Sequence, residues 1–286
     1  WTRELATPTH WTLADLDRAL GVELIGAEST GQQVIRVASA GGGGWRLDEL
    51  DPATYATRSV LNGVLAGDLD GDGRDELVVA ASEWSAYDVR VLQLDPVQPD
   101  RVQLVARLKL GTLSGLALLP DPDGRRVRIG VMVSPRYPNH RMFPADAPAG
   151  LPEGYYQLRW SGRGEPLEIV DWVPDARDAH AVHVGDVDGD GRLDLALAST
   201  HAGWSTTLLH GRDAGRFEAL RIAGLHAVAV AQLDADADAE LLMVAVDEES
   251  PPSGPLVVVG GGPPSELFAQ PASELPEPPA IPREHD

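Results

Sequence analysis

The 286-residue chain contains no cysteine, which excludes a disulfide framework, a thiolate zinc centre, an iron–sulfur cluster and a cysteine nucleophile. Lysine is almost as scarce, with Lys109 standing alone, and Lys and Arg together number 23 against 44 Asp and Glu. The resulting formal charge of -21 sets nucleic acid and anionic membrane surfaces aside as partners, because holding phosphates takes clustered cations. No apolar run approaches the ~18 residues of a membrane-spanning helix, so the chain as written is not itself transmembrane. Catalytic signatures are also missing. There is no G-x-S-x-G elbow, H-E-x-x-H pair, Walker loop or dinucleotide glycine pattern, and "GGGG" from Gly41 has neither the helix nor the lysine of a phosphate cradle.

What is abundant is turn-forming: Gly 30 and Pro 23 separate short apolar runs such as "ELVVAAS", "DVRVLQL" and "VQLVARLKL". Runs of four to eight residues bounded by breakers read as strands, so the expected fold class is all-β. The sequence then repeats itself. "GDLDGDGRDELVVAAS" from Gly67 and "GDVDGDGRLDLALAST" from Gly185 align without gaps, and "LHAVAVAQLDADADAELLMVA" from Leu225 keeps the frame. Fainter copies begin at Leu13 and, with one inserted residue, at Leu113. The five loops, at Asp15, Asp68, about Pro120, Asp186 and Gln232, recur every 46 to 66 residues or so, near the period of propeller blades. About four strands fit in each unit, and such units must stack to bury their faces. The reading is a β-propeller of about five four-stranded blades over residues 1–270, whether a five-bladed ring, an open and incomplete array or a piece completed by another chain, with an irregular Pro-rich insertion at about 134–160 and a Pro-rich acidic tail at 271–286.

Asp68, Asp70 and Asp72 alternate, so a curled backbone can turn all three carboxylates towards one point, and Gly73 permits the curl. The backbone carbonyl of Arg74 and the carboxylate of Glu76 would complete a site; Asp186, Asp188, Asp190, Arg192 and Asp194 repeat it. Oxygen donors at this density suit calcium, which takes six to eight of them. An EF-hand needs a bidentate Glu at its twelfth position and flanking helices; Val79 and Leu197 stand there, and a strand follows. The last loop keeps Asp234, Asp236, Asp238 and Glu240 but has Gln232 and Ala237 for the first Asp and the Gly, making it a weaker candidate for a third ion. The loops near Asp15 and Asp121 read as turns without metal.

The pattern D-x-D-G-D-G-x-x-D/E before a strand resembles the FG-GAP and VCBS repeats of integrin-α-type β-propellers, and "TTLLHGRDAGRFEAL" from Thr206 resembles the hairpin that follows the loop in VCBS repeats. The resemblance implies a calcium-bearing propeller, exported and so extracellular, periplasmic or attached to the outer surface, used for adhesion or ligand binding. The first residue, Trp1, fits either a removed signal peptide or a missing start.

Asn62, Ser114, His180 and His226 occupy equivalent places at the start of each expected innermost strand. They read as a polar ring hydrating a channel, with a small ligand or metal as the sharper alternative. The functional expectation is a non-catalytic binding or scaffold module whose partner is a protein or a surface glycan. Tyr137, Phe143, Tyr155, Tyr156 and Trp160 of the insertion supply its contact surface. A lectin-like module is the first alternative and a polysaccharide lyase the second.

Overall fold

The short apolar runs become strands; "ELVVAA" is buried on both faces, whereas "VQLVARLK" alternates buried and partly exposed side chains. This is seen in a computed structural model of the protein, described for residues 10–16, 22–27, 35–41, 44–49, 61–81, 87–95, 102–121, 124–134, 151–174, 176, 179–199, 206–222, 224–233, 235, 238–246 and 254–259. The chain divides into two compact units, Trp1–Trp172 and Val173–Asp286. The first holds three four-stranded antiparallel sheets: β1 (His10–Ala14), β2 (Glu23–Ala27), β3 (Ile35–Gly41) and β4 (Gly44–Glu49); β5 (Leu61–Gly67), β6 (Glu76–Ala81), β7 (Asp88–Leu94) and β8 (Val102–Lys109); and β9 (Thr112–Pro120), β10 (Val127–Ser134), β11 (Gly154–Arg159) and β12 (Glu168–Val173). The second holds β13 (Ala179–Gly185), β14 (Asp194–Ser199), β15 (Thr206–Gly211) and β16 (Phe217–Ile222), then β17 (Leu225–Ala231), β18 (Glu240–Ala245) and β19 (Leu256–Val259), the last sheet having three strands among the described residues.

Every sheet is a meander in which chain neighbours pair, the simplest connection for short loops. This is the all-β, four-stranded blade architecture expected of the repeats. The five first hairpins also share one register. Ala14 faces Glu23, Gly67 faces Glu76, Leu119 faces Arg128, Gly185 faces Asp194 and Ala231 faces Glu240.

Strand β6 shows how the sheets stack. Leu77, Val79 and Ala81 join Ala14, Leu16 and Ile25 in one core, while Val78 and Ala80 join Ile129, Val131 and Trp160 in the next. Both faces of the strand are dry, which is why its sequence is a continuous apolar run rather than an alternating one. In the second unit Ala196, Ala198 and Leu208 meet Leu241 and Met243 in the same manner. Within the first unit β1 packs on β5 and β5 on β9; within the second β13 packs on β17. First strands meeting first strands is the arrangement of innermost strands in propeller blades.

Three of those strands carry a bulge at the same place. The pairing skips Asn62 in β5, Ser114 in β9 and His180 in β13. In β17 the skipped residue is Val228, and His226 stays in register opposite Val244. The equivalence expected for His226 therefore fails at the level of backbone geometry, because the fifth sheet takes its extra residue two positions later.

The aromatic residues assigned to a contact surface are a second correction. Tyr155, Tyr156 and Trp160 are 0%, 3% and 0% exposed, since β11 and its end fall inside the stretch 134–160 and fill the core between the second and third sheets. Tyr137 and Phe143 lie outside the described residues, as does the tail 271–286. Tyr155 lies so close over Gly130 that an added Cβ would stand 2.0 Å from its hydroxyl oxygen and 2.8 Å from the ring carbon bearing it. Gly130→Ala is expected to cost about 1–3 kcal/mol by overpacking, read as a lower denaturant midpoint at unchanged slope.

Candidate metal centre

The first acidic hairpin connects β5 to β6, and its backbone curls round the carboxylate of Asp68. Asp68 Oδ1 accepts from the amides of Gly71 (2.7 Å) and Asp72 (3.0 Å), and Oδ2 from that of Gly73 (2.8 Å). Gly71 and Gly73 both sit at φ +82°, a region that side-chain-bearing residues avoid. Asp70 Oδ1 accepts from the Asp72 amide (3.1 Å) and Asp72 Oδ1 from that of Arg74 (2.8 Å). At the base of the loop Glu76, 1% exposed, accepts from the Leu69 amide (2.9 Å) on one oxygen and from the Gln93 side chain of β7 (2.9 Å) on the other. Asp68, Asp70 and Glu76 bring one carboxylate oxygen each to within 4.8 Å of one another. Asp72 lies on the exposed rim. The side chain of Arg74 turns inward, leaving its buried Nε without a hydrogen bond.

The second hairpin, between β13 and β14, repeats the scaffold. Asp186 accepts from the amides of Asp190 (3.1 Å) and Gly191 (2.8 Å), Asp188 from that of Asp190 (3.0 Å), and Asp190 from that of Arg192 (2.8 Å). The Arg192 guanidinium also pairs with Asp190 and donates to the Gly211 carbonyl (3.2 Å). Asp194, 0% exposed, accepts from the Val187 amide (2.9 Å) and the Gly211 amide (2.8 Å). Asp186, Asp188 and Asp190 converge as one group, and Asp188, Asp194 and His210 as another. The sequence reading missed His210. It reaches the loop from β15, 16 residues beyond Asp194, and no local spacing announces it.

The acid at the ninth loop position has one structural task in four hairpins. Its carboxylate caps the second loop residue's amide: Glu23 to Leu16 (3.0 Å), Glu76 to Leu69, Asp194 to Val187, and Glu240 to Leu233 (2.7 Å). The third hairpin breaks the rule. Arg128 takes that position, donates through Nε to Asp121 Oδ1 (2.7 Å) and through Nη1 to Gln157 (3.2 Å). Here a guanidinium provides the positive charge within the turn. In the fifth hairpin Asp234 and Asp236 lie outside the described residues, and the Asp238 carboxylate packs on the backbone of Gly189 in the second loop.

Each full loop is also tied to the hairpin that follows. The Val127 amide donates to the Asp68 carbonyl (3.2 Å) and the Ala239 amide to the Asp186 carbonyl (2.7 Å); the Asp75 amide does the same to Asp15 (3.0 Å). The three donors are equivalent, each standing immediately before the ninth-position residue. The loop's first residue therefore offers its carboxylate inward and its carbonyl to the neighbouring blade.

Burial pushes the carboxyl of Glu76 up to about 7, partly offset by the hydrogen bonds from Gln93 and Leu69, with Asp70 and Asp72 adding repulsion. Burial likewise raises Asp70, Asp188 and Asp194 above the usual carboxylate range. Each of these groups loses hydration on burial, a cost that a bound cation would offset. Asp188 Oδ2 makes the point most directly, being buried without accepting a hydrogen bond. A hard divalent cation fits both loops, because carboxylate oxygens converge there.

The ring expected from Asn62, Ser114, His180 and His226 is described only in part. The side chains of Asn62 and His180 lie outside the described ones, Ser114 is 7% exposed, and His226 is half-buried. Within the second unit His183 comes close to His226, and burial, with His226 adding to it, holds the His183 imidazole below its usual range.

The FG-GAP repeat model matches residues 61–92 and 179–216, the spans that contain both full loops and, in the second, His210. No curated protein matches the chain. The crystal structure of Saccharomyces cerevisiae Sqt1 is similar in fold, with a TM-score of 0.52 at 8% identity over 86% of this chain and 58% of that one. The chain thus spans less than two thirds of the length of that structure.

Proposed function

We propose that this chain, which carries FG-GAP repeats at 61–92 and 179–216, is a non-catalytic binding or scaffold module of an exported protein, its blades held by calcium. One observation carries this reading: the residue that opens each full loop combines a carboxylate aimed into the acidic pocket with a carbonyl bonded to the next hairpin. Asp68, Asp70, Asp72, Glu76 and the Arg74 carbonyl would hold one ion, and Asp186, Asp188, Asp190, Asp194 and the Arg192 carbonyl another. Asp234, Asp236, Asp238 and Glu240 form a weaker third candidate. A bound ion would add positive charge among the converging carboxylates and hold the curl of the loop. The chain's own residues do the rest: the glycines permit the curl, the amides orient the carboxylates, and the carbonyls transmit the fixed geometry sideways. A rigid blade edge of this kind suits presentation of a surface to a protein partner or a glycan.

Calorimetric titration of calcium into the chelator-treated protein tests the reading. Two sites are expected, with Asp68→Ala and Asp186→Ala each removing one. Affinity at the first loop should weaken as pH falls below about 7, because Glu76 must give up a proton to bind. Heat signals indistinguishable from dilution would end the proposal.

A further inference from the structure

The two full hairpins differ at one position that changes their chemistry. One step beyond the Leu77–Leu92 and Leu195–Leu209 pairs, the third strand offers Gln93 in the first repeat and His210 in the second. The Gln93 amide nitrogen can only donate, and it does so to Glu76 at 2.9 Å. An imidazole nitrogen can instead present a lone pair. His210 Nδ1 lies 3.1 Å from Asp194 Oδ1 and 3.2 Å from Asp188 Oδ2, and one N–H cannot align with both. Asp194 already receives backbone amides on each oxygen, from Gly211 and Val187. Asp188, 1% exposed, directs Oδ2 at this imidazole, and that oxygen accepts no hydrogen bond. All three residues are buried.

We propose that His210 Nδ1, Asp188 Oδ2 and Asp194 Oδ1 form a nitrogen–oxygen face for a first-row transition-metal dication such as zinc or cobalt, whereas the first hairpin, lacking any nitrogen ligand, is selective for calcium. The spacing suits it: an ion bonded at about 2.0–2.2 Å to the nitrogen and either oxygen would subtend roughly 100° between them. The softer imidazole favours zinc or cobalt and adds nothing for calcium, which takes oxygen. This inference rests on the reading that the acidic hairpins hold divalent cations, and extends it by giving the second loop, which also admits calcium, a preference for the softer metal.

The test uses cobalt(II) absorption and calcium calorimetry on the full chain and on His210→Gln, which installs the side chain the first hairpin already uses. The unmodified chain should take up one cobalt, displacing calcium from the second loop alone, and His210→Gln should weaken cobalt at least tenfold more than it weakens calcium. In the unmodified chain, the nitrogen-15 resonance of His210 Nδ1 should shift on adding zinc, a readout independent of how the variant folds. Equal cobalt affinity in both proteins, or an unmoved resonance, means the histidine only donates to Asp194 and the inference falls. Calcium at both loops with cobalt at neither also overturns it while leaving the calcium reading standing. Failure of both metals to bind removes the two together.

Discussion

Stripping divalent cations with a chelator is expected to lower the melting temperature by roughly 5 to 10 °C, and calcium is expected to restore it more fully than magnesium. Each compact unit contains one full loop. An ion present at one hundred times its dissociation constant stabilises the fold by about 2.7 kcal/mol, a large fraction of the 5–15 kcal/mol typical of a domain. The effect should depend on pH with a definite sign. In the cation-free fold Glu76 titrates at about 7, above its ordinary 4.5, so between those values the folded chain holds a proton that the unfolded chain has lost. Stability of the cation-free protein therefore falls as pH rises through that window, and the gap opened by chelation should be wider at pH 8 than at pH 5.5. Hydrogen exchange gives the matching local signal, with the amides of Val127 and Ala239 losing protection. A melt that stays within a degree under confirmed metal removal would falsify structural sites.

Trp160→Ala is expected to cost about 3–5 kcal/mol. The indole is fully buried between the second and third sheets, and its Nε1 donates to the Glu165 carbonyl at 3.1 Å. Truncation leaves both a void and an unmet acceptor, so thermal or denaturant unfolding should register the loss. A variant that melts like its parent would instead return Trp160 to the contact surface that the sequence reading assigned it.

Much of the architecture was legible because it is repeated. Aligning Gly67 with Gly185 also places Glu76 on Asp194, and the strand registers agree at both positions. Even the faint copy from Leu13 puts Ala14 opposite Glu23 as the alignment requires. Legibility stopped where a contact comes from outside the repeated hairpin. His210 and Gln93 occupy equivalent places on third strands, yet His and Gln have nothing in common as letters, and neither lies within the loop's own spacing. Arg128 was opaque for a related reason: an arginine replaces a carboxylate, and the charge that closes the turn changes sign and owner. Tyr155 and Trp160 misled through their proline-rich surroundings, which read as loop, although Gly154–Arg159 is a strand buried along all but its last residue and Trp160 is buried just beyond it.

The carbonyl ties have a direction. Asp15 serves the hairpin of β6, Asp68 that of β10, and Asp186 that of β18; the acceptor in each case precedes its donor along the chain. A polypeptide growing from its amino end would finish a loop first and have that loop waiting as a template, so that the second and third hairpins of the first unit, and the second hairpin of the other, each dock on an edge already set.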